Sequence, residues 1–357
     1  MSLRILRKTY RLEMRTTQLL RKAFLPGWCW RCVKTGVCHV AMQCRMMEAG
    51  VYIKFRVFIL PVQFKLRIFV GYAKNQDMIT RCYLEITNVC NLDCVFCPKT
   101  TRAKHTMTMD EFDMLTSRLV GEVRFLYSHL MGEPFLHPLL PQFVLTARRK
   151  GFIPVLTTNG TLLSQRTDML DALPHKLQIS LHSHEGNGKE NLKQYIDEVM
   201  TFAGEAVRRG CVVVLRLWNE GGRNSMNESI LKFIAGHQPQ PWTERYDGWK
   251  LAENLYIEND NIFEWPDLQY DAKDTEEVFC YALRNQIGVL ADGTVVPCCL
   301  DHNGDMGVGN LFEHSLADIL ASPRAAAIYN GFTCHTAVEP LCQRCGYSAV
   351  SKRFRKQ

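Results

Sequence analysis

Cys90, Cys94 and Cys97 stand as C-x3-C-x2-C, with Phe96 just before the last of them, directly after the apolar run Tyr83-Leu84-Glu85-Ile86-Thr87-Asn88-Val89. Three thiolates on one short loop can hold three corners of an iron–sulfur cube. The fourth iron then has no protein ligand and is open to a small molecule. A structural zinc ion would recruit a fourth cysteine or histidine close by, in paired-knuckle spacing. Here the nearest histidine, His105, lies eight residues beyond Cys97 in a basic loop. The spacing favours a cluster over zinc.

A second set comprises Cys280, Cys298, Cys342 and Cys345, spaced C-x17-C and, after a long gap, C-x2-C. Four thiolates can close a cluster completely, leaving no open iron. A zinc ribbon is the competing use, although its knuckles come as two C-x2-C pairs. Cys299 is an ambiguous neighbour of Cys298, and Cys334 is an unpaired extra.

The first cysteine loop needs a scaffold, and the pattern from residue 83 onward supplies one. Strand-like runs at 83–88, 123–129, 152–158, 176–182, 211–217 and 252–258 alternate with amphipathic segments at 109–120, 138–150, 161–172, 188–208 and 225–235. Thr108-Met109-Asp110-Glu111 is a capping box that sets the start of the first helix. Repeated β-then-α order predicts a parallel sheet with crossover helices. Six units predict an open, partial (β/α)6 barrel, an α/β fold whose reacting groups gather at the C-terminal strand ends. Residues 259–279 read as a linker. Beyond it, Asp292-Gly293 between two apolar runs predicts a hairpin, and 315–329 a helix. The expected organisation is a basic, Cys-containing extension over 1–77, a core over 78–262, a cluster-binding domain over 263–350 and a basic tail over 351–357.

The stretch ITNVCNLDCVFCP resembles the signature loop of the radical S-adenosylmethionine (SAM) superfamily. The resemblance implies that Cys90, Cys94 and Cys97 bind a [4Fe–4S] cluster whose fourth iron is chelated by the amino and carboxylate groups of SAM. It extends over roughly residues 82–347. Met131-Gly132-Glu133-Pro134 is similar to the family's Gly-Gly-Glu-Pro motif, with Met131 in place of the first glycine, so Gly132, Glu133 and Pro134 are expected around the SAM amino group. Asn159, in Thr157-Thr158-Asn159-Gly160-Thr161, falls at a polar turn near the nucleoside. Ser180 matches the serine at the ribose hydroxyls, Arg216 a SAM-carboxylate contact, and Phe96 the aromatic position near the adenine. The implied activity is reductive cleavage of SAM to a 5′-deoxyadenosyl radical, which takes hydrogen from a substrate. Breaking a sulfonium C–S bond needs a low-potential donor in contact with it. Cluster potentials span roughly −700 to +450 mV, tuned by charge, hydrogen bonding and exposure.

Cys280, Cys298, Cys342 and Cys345 resemble the twitch form of the SPASM domain, which holds one auxiliary [4Fe–4S] cluster. Their spacing is close to that of the radical SAM dehydrogenase of butirosin biosynthesis. An auxiliary cluster could accept an electron from a substrate radical, anchor the substrate or brace the domain. His129, His182 and His184, at strand ends facing the expected mouth, are candidates for substrate contact and also for satisfied structural histidines. The resemblance favours radical modification of a peptide or protein side chain, with oxidation of a small carbinol or sugar-like metabolite as the alternative. A reductant such as flavodoxin or ferredoxin is the expected partner. A non-catalytic iron–sulfur carrier or scaffold is the rival of another class.

Composition bounds these readings. The chain has 357 residues, 46% of them apolar, and 15 cysteines. Its longest apolar stretch, 51–70, is broken by Lys54, Arg56, Lys65 and Arg67, so no transmembrane segment is expected. Without a signal-peptide pattern, a cytoplasmic, reducing setting is expected, where cysteine sets bind metal. Residues 1–80 carry fifteen Lys+Arg against three Asp+Glu, and the rest of the chain is net negative by about five. That confinement of basic charge argues against a zinc-stabilised nucleic-acid binder. The basic segment has an amphipathic start at 3–24, four cysteines at Cys29, Cys32, Cys38 and Cys44, and alternating stretches on either side of Pro61 that predict a hairpin. Its odd composition is that expected of an upstream extension of a chain starting at Met78. Intact mass of the natively expressed protein tests this, and a full-length species contradicts it.

Overall fold

The computed structural model describes residues 39–45, 52–58, 71–72, 79–188, 190–272 and 278–347. The chain divides into two compact units, Met1–Gln76 and Asp77–Gln357. In the first, β1 (His39–Arg45), β2 (Tyr52–Phe58) and β3 (Gly71–Tyr72) form an antiparallel sheet in the order β1-β2-β3. The expected hairpin at Pro61 has its first arm in β2. Its second arm, the amphipathic start at 3–24, Cys29, Cys32, Cys38, Met78 and the basic tail 351–357 lie outside the described residues.

The second unit is built on six parallel strands: β4 (Ile79–Leu84), β5 (Val123–Tyr127), β6 (Ile153–Thr158), β7 (Lys176–Ser180), β8 (Val212–Glu220) and β11 (Leu255–Asn261). They pair in chain order, which is the expected partial (β/α)6 barrel. The connecting helices are α1 (Met109–Leu119), α2 (Leu140–Arg149), α3 (His182–Gly186), α4 (Leu192–Arg208) and α5 (Asn227–His237). The longer ones bury one face each, with Phe112 of α1 and Phe143 of α2 stacked at 4.2 Å behind the sheet. The segment 161–172, read as a helix, forms two short 3-10 turns, Leu163–Gln165 and Thr167–Asp171.

Antiparallel hairpins extend the sheet at both edges, giving the order β14-β13-β12-β4-β5-β6-β7-β8-β11-β10-β9. On one side β9 (Thr243–Arg245) and β10 (Gly248–Ala252) follow β11. On the other, β12 (Gln286–Val289) pairs in parallel with β4, and β13 (Thr294–Val296) and β14 (Gly309–Asn310) follow it. The C-terminal domain thus continues the barrel sheet from the strand that carries the cysteine loop. Its remaining helices are α6 (Leu316–Leu320), α7 (Pro323–Thr333) and α8 (Pro340–Gln343). Among the described residues, no helix is long and apolar enough to cross a membrane.

The capping box at α1 is present: the Thr108 hydroxyl accepts from the Glu111 amide at 3.2 Å, and Glu111 Oε2 accepts from the Thr108 amide at 2.6 Å. Thr108→Ala is expected to cost about 1 kcal/mol, read as a lowered denaturant midpoint at unchanged slope.

Candidate functional site

The cysteine loop leaves the C-terminal end of β4 and is fixed from three sides. Gly132, at φ +78°, is seated so tightly that a Cβ there would stand 2.3 Å from the Thr87 carbonyl oxygen. The next amide, Glu133 N–H, donates to the Val89 carbonyl at 2.8 Å. From the β7 end, Asn187 donates to Cys94 Sγ at 3.0 Å and accepts from the Asp93 amide at 2.7 Å, while the Val95 amide donates to the Gly186 carbonyl at 3.1 Å. The Phe96 ring lies against Gly186, leaving no room for a Cβ, and 5.0 Å from the His182 ring.

The three thiols act on one another. Burial pushes the Cys94 thiol up to about 11, with Cys97 and Cys90 adding to the shift against the opposing Asn187 amide. Cys90 and Cys97 are also raised, in both cases mainly by burial. Three partly desolvated sulfurs within electrostatic reach of one another, with an amide donor aimed at one of them, suit soft-metal ligation, which removes the protons. Among the described residues no three His, Cys, Asp or Glu side chains form a site for a single metal ion. The sulfurs of a cube stand farther apart, each on its own iron. The donor set fits a cluster.

Glu133 is a buried carboxylate at this end of the barrel, 2% exposed. Its Oε1 accepts from the Phe135 amide at 2.9 Å and the Thr158 hydroxyl at 2.8 Å, and its Oε2 from the Asn159 amide at 2.7 Å. Pro134 opens the 3-10 turn that Glu133 caps. Asn159 also donates to Asn91 Oδ1 at 2.9 Å, tying this carboxylate to the cysteine loop. Burial raises the Glu133 carboxyl to about 7 in spite of those three donors. A carboxyl whose folded value lies above its ordinary 4.5 keeps its proton in the native state where the unfolded chain has lost it. Its contribution to stability is therefore fully present below about 4.5 and is lost as pH rises through about 7, a difference of roughly 3 kcal/mol. An ammonium ligand favours the ionised form, so SAM affinity is expected to rise with pH and level off above about 7. Titrating SAM binding against pH checks this, and Glu133→Gln is expected to flatten the profile.

Ser180 ends β7, half-buried and in register with Arg216 on β8. Arg216 projects between Glu258, Tyr83, Cys299 and Asp260, the groups that most offset the desolvation of its guanidinium. His182 and His184 turn back into the fold. His182 Nδ1 lies 3.1 Å from the Arg216 carbonyl oxygen and 3.3 Å from the Trp218 amide, and the His184 ring stacks on Tyr195 at 4.9 Å. His129 faces the barrel interior, edge-on to Tyr83 at 5.8 Å.

The second thiol set is also assembled. Burial raises Cys298 well above its ordinary value, and Cys299, Cys280, Cys342 and Cys345 raise it further. Cys342 is raised by burial and then by Cys280 and Cys345. Cys334 is exposed at the end of α7 and is not among the groups acting most on these two. Cys299 looks toward the barrel: burial pushes it up to about 12, while a hydrogen bond with Tyr83 opposes the shift. Register places the two sets. Gly288 pairs with Tyr83 on one side and with Val296 on the other, and β13 runs antiparallel to β4. Cys298 therefore lies toward the start of β4 and Cys90 beyond its end, with the barrel interior between them.

Several residues that hold the site together escaped sequence reasoning. Glu85, 0% exposed at the end of β4, accepts from Arg102 at 2.7 Å, from the Met131 amide at 3.2 Å and from the Ala291 amide at 3.2 Å. Arg102 also donates to the His302 carbonyl at 3.0 Å. This buried pair ties the segment after Cys97, the Gly132–Glu133 turn and the C-terminal hairpin to one point. The signal was a glutamate inside an otherwise apolar strand run, which demands a partner. Asp301, 0% exposed, accepts from the amides of Gly304, Asp305 and Met306 at 3.0, 2.9 and 2.8 Å and so shapes the loop after Cys299.

Comparison with known proteins agrees with this fold. Residues 84–234 match the Radical SAM superfamily, and residues 280–346 match SPASM, an iron-sulfur cluster-binding domain. A tungsten-containing aldehyde ferredoxin oxidoreductase cofactor-modifying protein of Pyrococcus furiosus is 28% identical over 322 aligned positions, covering 74% of this chain and 86% of the relative. A GTP 3′,8-cyclase of Chlorobaculum tepidum is 35% identical over 95 residues, 24% of this chain and 28% of its own. Among solved structures, anSMEcpe with bound AdoMet superposes with a TM-score of 0.51 at 12% identity, covering 75% of this chain and 89% of its own. Streptococcus suis SuiB superposes with a TM-score of 0.50 at 13% identity, covering 78% and 74%. At these identities the structures speak for the fold alone.

Proposed function

We propose that this chain, a radical SAM protein with a C-terminal SPASM domain, uses an electron from the cluster on Cys90, Cys94 and Cys97 to cleave SAM and take a hydrogen atom from a substrate held in the barrel. The supporting observation is the seating of Gly132 and Glu133 against the Thr87–Val89 backbone, which fixes a buried carboxylate beside the three thiols. The domains imply SAM, a [4Fe–4S] cluster and auxiliary iron–sulfur binding. In this reading Glu133 takes the SAM amino group, with Gly132, Pro134 and Asn159 shaping its cradle, Ser180 at the ribose and Phe96 beside the adenine.

The first substrate class to test is a peptide or protein side chain. A cluster on Cys280, Cys298, Cys342 and Cys345, at the other end of β4, would take the second electron when the product is an oxidised one. The set of four auxiliary cysteines, that of the twitch form, supports a second reading, oxidation of a small carbinol or sugar-like metabolite. Gene neighbourhood separates the two: a short precursor-peptide gene supports the first, sugar or aminocyclitol genes the second. Anaerobic reconstitution with dithionite and SAM tests the shared chemistry. Intact clusters without 5′-deoxyadenosine would instead support an electron carrier or scaffold.

A further inference from the structure

The barrel interior between the two thiol sets holds a cation without an ion-pair partner among the described residues. Arg216 reaches inward from β8, its guanidinium carbon 3.3 Å from the centre of the Trp218 ring. Its Nε is buried without a hydrogen-bond partner. Among the described residues no carboxylate lies within ion-pair distance of it. Desolvation pushes Arg216 down to about 10. A buried charge left unpaired is costly, so such a group is kept where a ligand completes it.

The surroundings are built for the same kind of ligand. Tyr83 and Tyr127 stack at 4.7 Å, and His129 stands against both rings. His129 Nδ1 is likewise buried without a partner. Burial, and then Arg216, push the imidazole down to about 3, so it remains neutral beside the guanidinium. Hydrogen-bond donors from β4, β5 and β8 thus converge on one space, and two of them have buried nitrogens that nothing in the fold satisfies. Glu258 and Asp260, on β11, flank the guanidinium at longer range.

We propose that Arg216, with His129 beside it, anchors an anionic oxygen group of the substrate, a carboxylate or a phosphate, inside the barrel between the two cysteine sets. Glu258 and Asp260 take donor groups elsewhere on the same molecule. This rests on the reading of the barrel as the site of hydrogen abstraction and narrows its substrate to one that carries an anion. It also moves Arg216 from the SAM carboxylate, the role implied by family resemblance, to the substrate.

The test is calorimetric titration of the holoenzyme, both clusters loaded and SAM present, with N-acetylglutamate N-methylamide, its neutral glutamine counterpart and inorganic phosphate. At least one anionic probe is expected to bind the wild type tenfold or more tighter than the neutral amide, and the better of the two identifies the anion. In Arg216→Gln that preference should fall below twofold while SAM affinity changes by less than twofold; Arg216→Lys should keep part of the preference. No tenfold preference for either anion in the wild type overturns the proposal. So does a preference that survives Arg216→Gln, or a tenfold loss of SAM affinity in that variant, which would assign the arginine to SAM. A wild type that binds the anion but makes no 5′-deoxyadenosine would refute the radical reading and leave the anion site standing.

Discussion

Alanine at Cys90, Cys94 or Cys97 is expected to remove one cluster's iron and to reduce 5′-deoxyadenosine formation to the buffer background. No spare ligand stands by: among the described residues, the groups acting most on these thiols are one another, Glu133, Asp93, Lys99 and the Asn187 amide. Glu133 already accepts from three donors, and Asp93 is paired with Lys99. The auxiliary thiols lie toward the other end of β4, so their iron should remain. Iron content and the reduced-state EPR spectrum of each variant read the two centres separately. Retention of full iron by a Cys94→Ala protein would contradict the assignment. Because Asn187 donates to Cys94 Sγ at 3.0 Å, its truncation should weaken the same signal without removing it.

Breaking the Glu85–Arg102 pair is expected to give a large stability loss. The carboxylate is wholly buried and the Arg102 side chain is 14% exposed, so solvent screens the pair little. Removing one partner of such a pair costs on the order of 3–5 kcal/mol, because the other charge is left behind. Glu85→Ala should reach that range and also orphan the Met131 and Ala291 amides. Glu85→Gln keeps the shape and should fall at its lower end. Neutralising both partners, as Glu85→Gln with Arg102→Gln, should recover part of the loss. Since the pair joins the cysteine loop to the C-terminal hairpin, SAM binding should weaken in the single variants along with the denaturation midpoint. A Glu85→Ala protein with wild-type stability would show that the hub is dispensable.

Much of the scaffold was legible because its elements obey local rules. The alternation of buried runs and amphipathic segments located all six parallel strands, and the Thr108–Glu111 box located the start of α1. The first strand was read as 83–88 but pairs over Ile79–Leu84. The apolar run continues past the sheet because Ile86 is buried in the core and Glu85 is buried against the C-terminal hairpin, its carboxylate accepting from the Ala291 amide more than 200 residues away in sequence. The hairpin β9–β10 went unread although Asp247-Gly248 carries the same turn signal as Asp292-Gly293. The thiol sets were legible from spacing. Their placement at opposite ends of β4 was not, since it follows from the parallel pairing of β12 with β4. Asn187, Glu85 and Asp301 are ordinary polar residues in the sequence, and only the fold brings them to their partners.

The most direct measurement is 5′-deoxyadenosine production by the full-length protein, reconstituted anaerobically with iron and sulfide, reduced with dithionite and given SAM. The account predicts product from the wild type and none from the Cys94→Ala protein prepared in parallel. A wild type with both clusters intact, binding SAM and forming no 5′-deoxyadenosine, would contradict it.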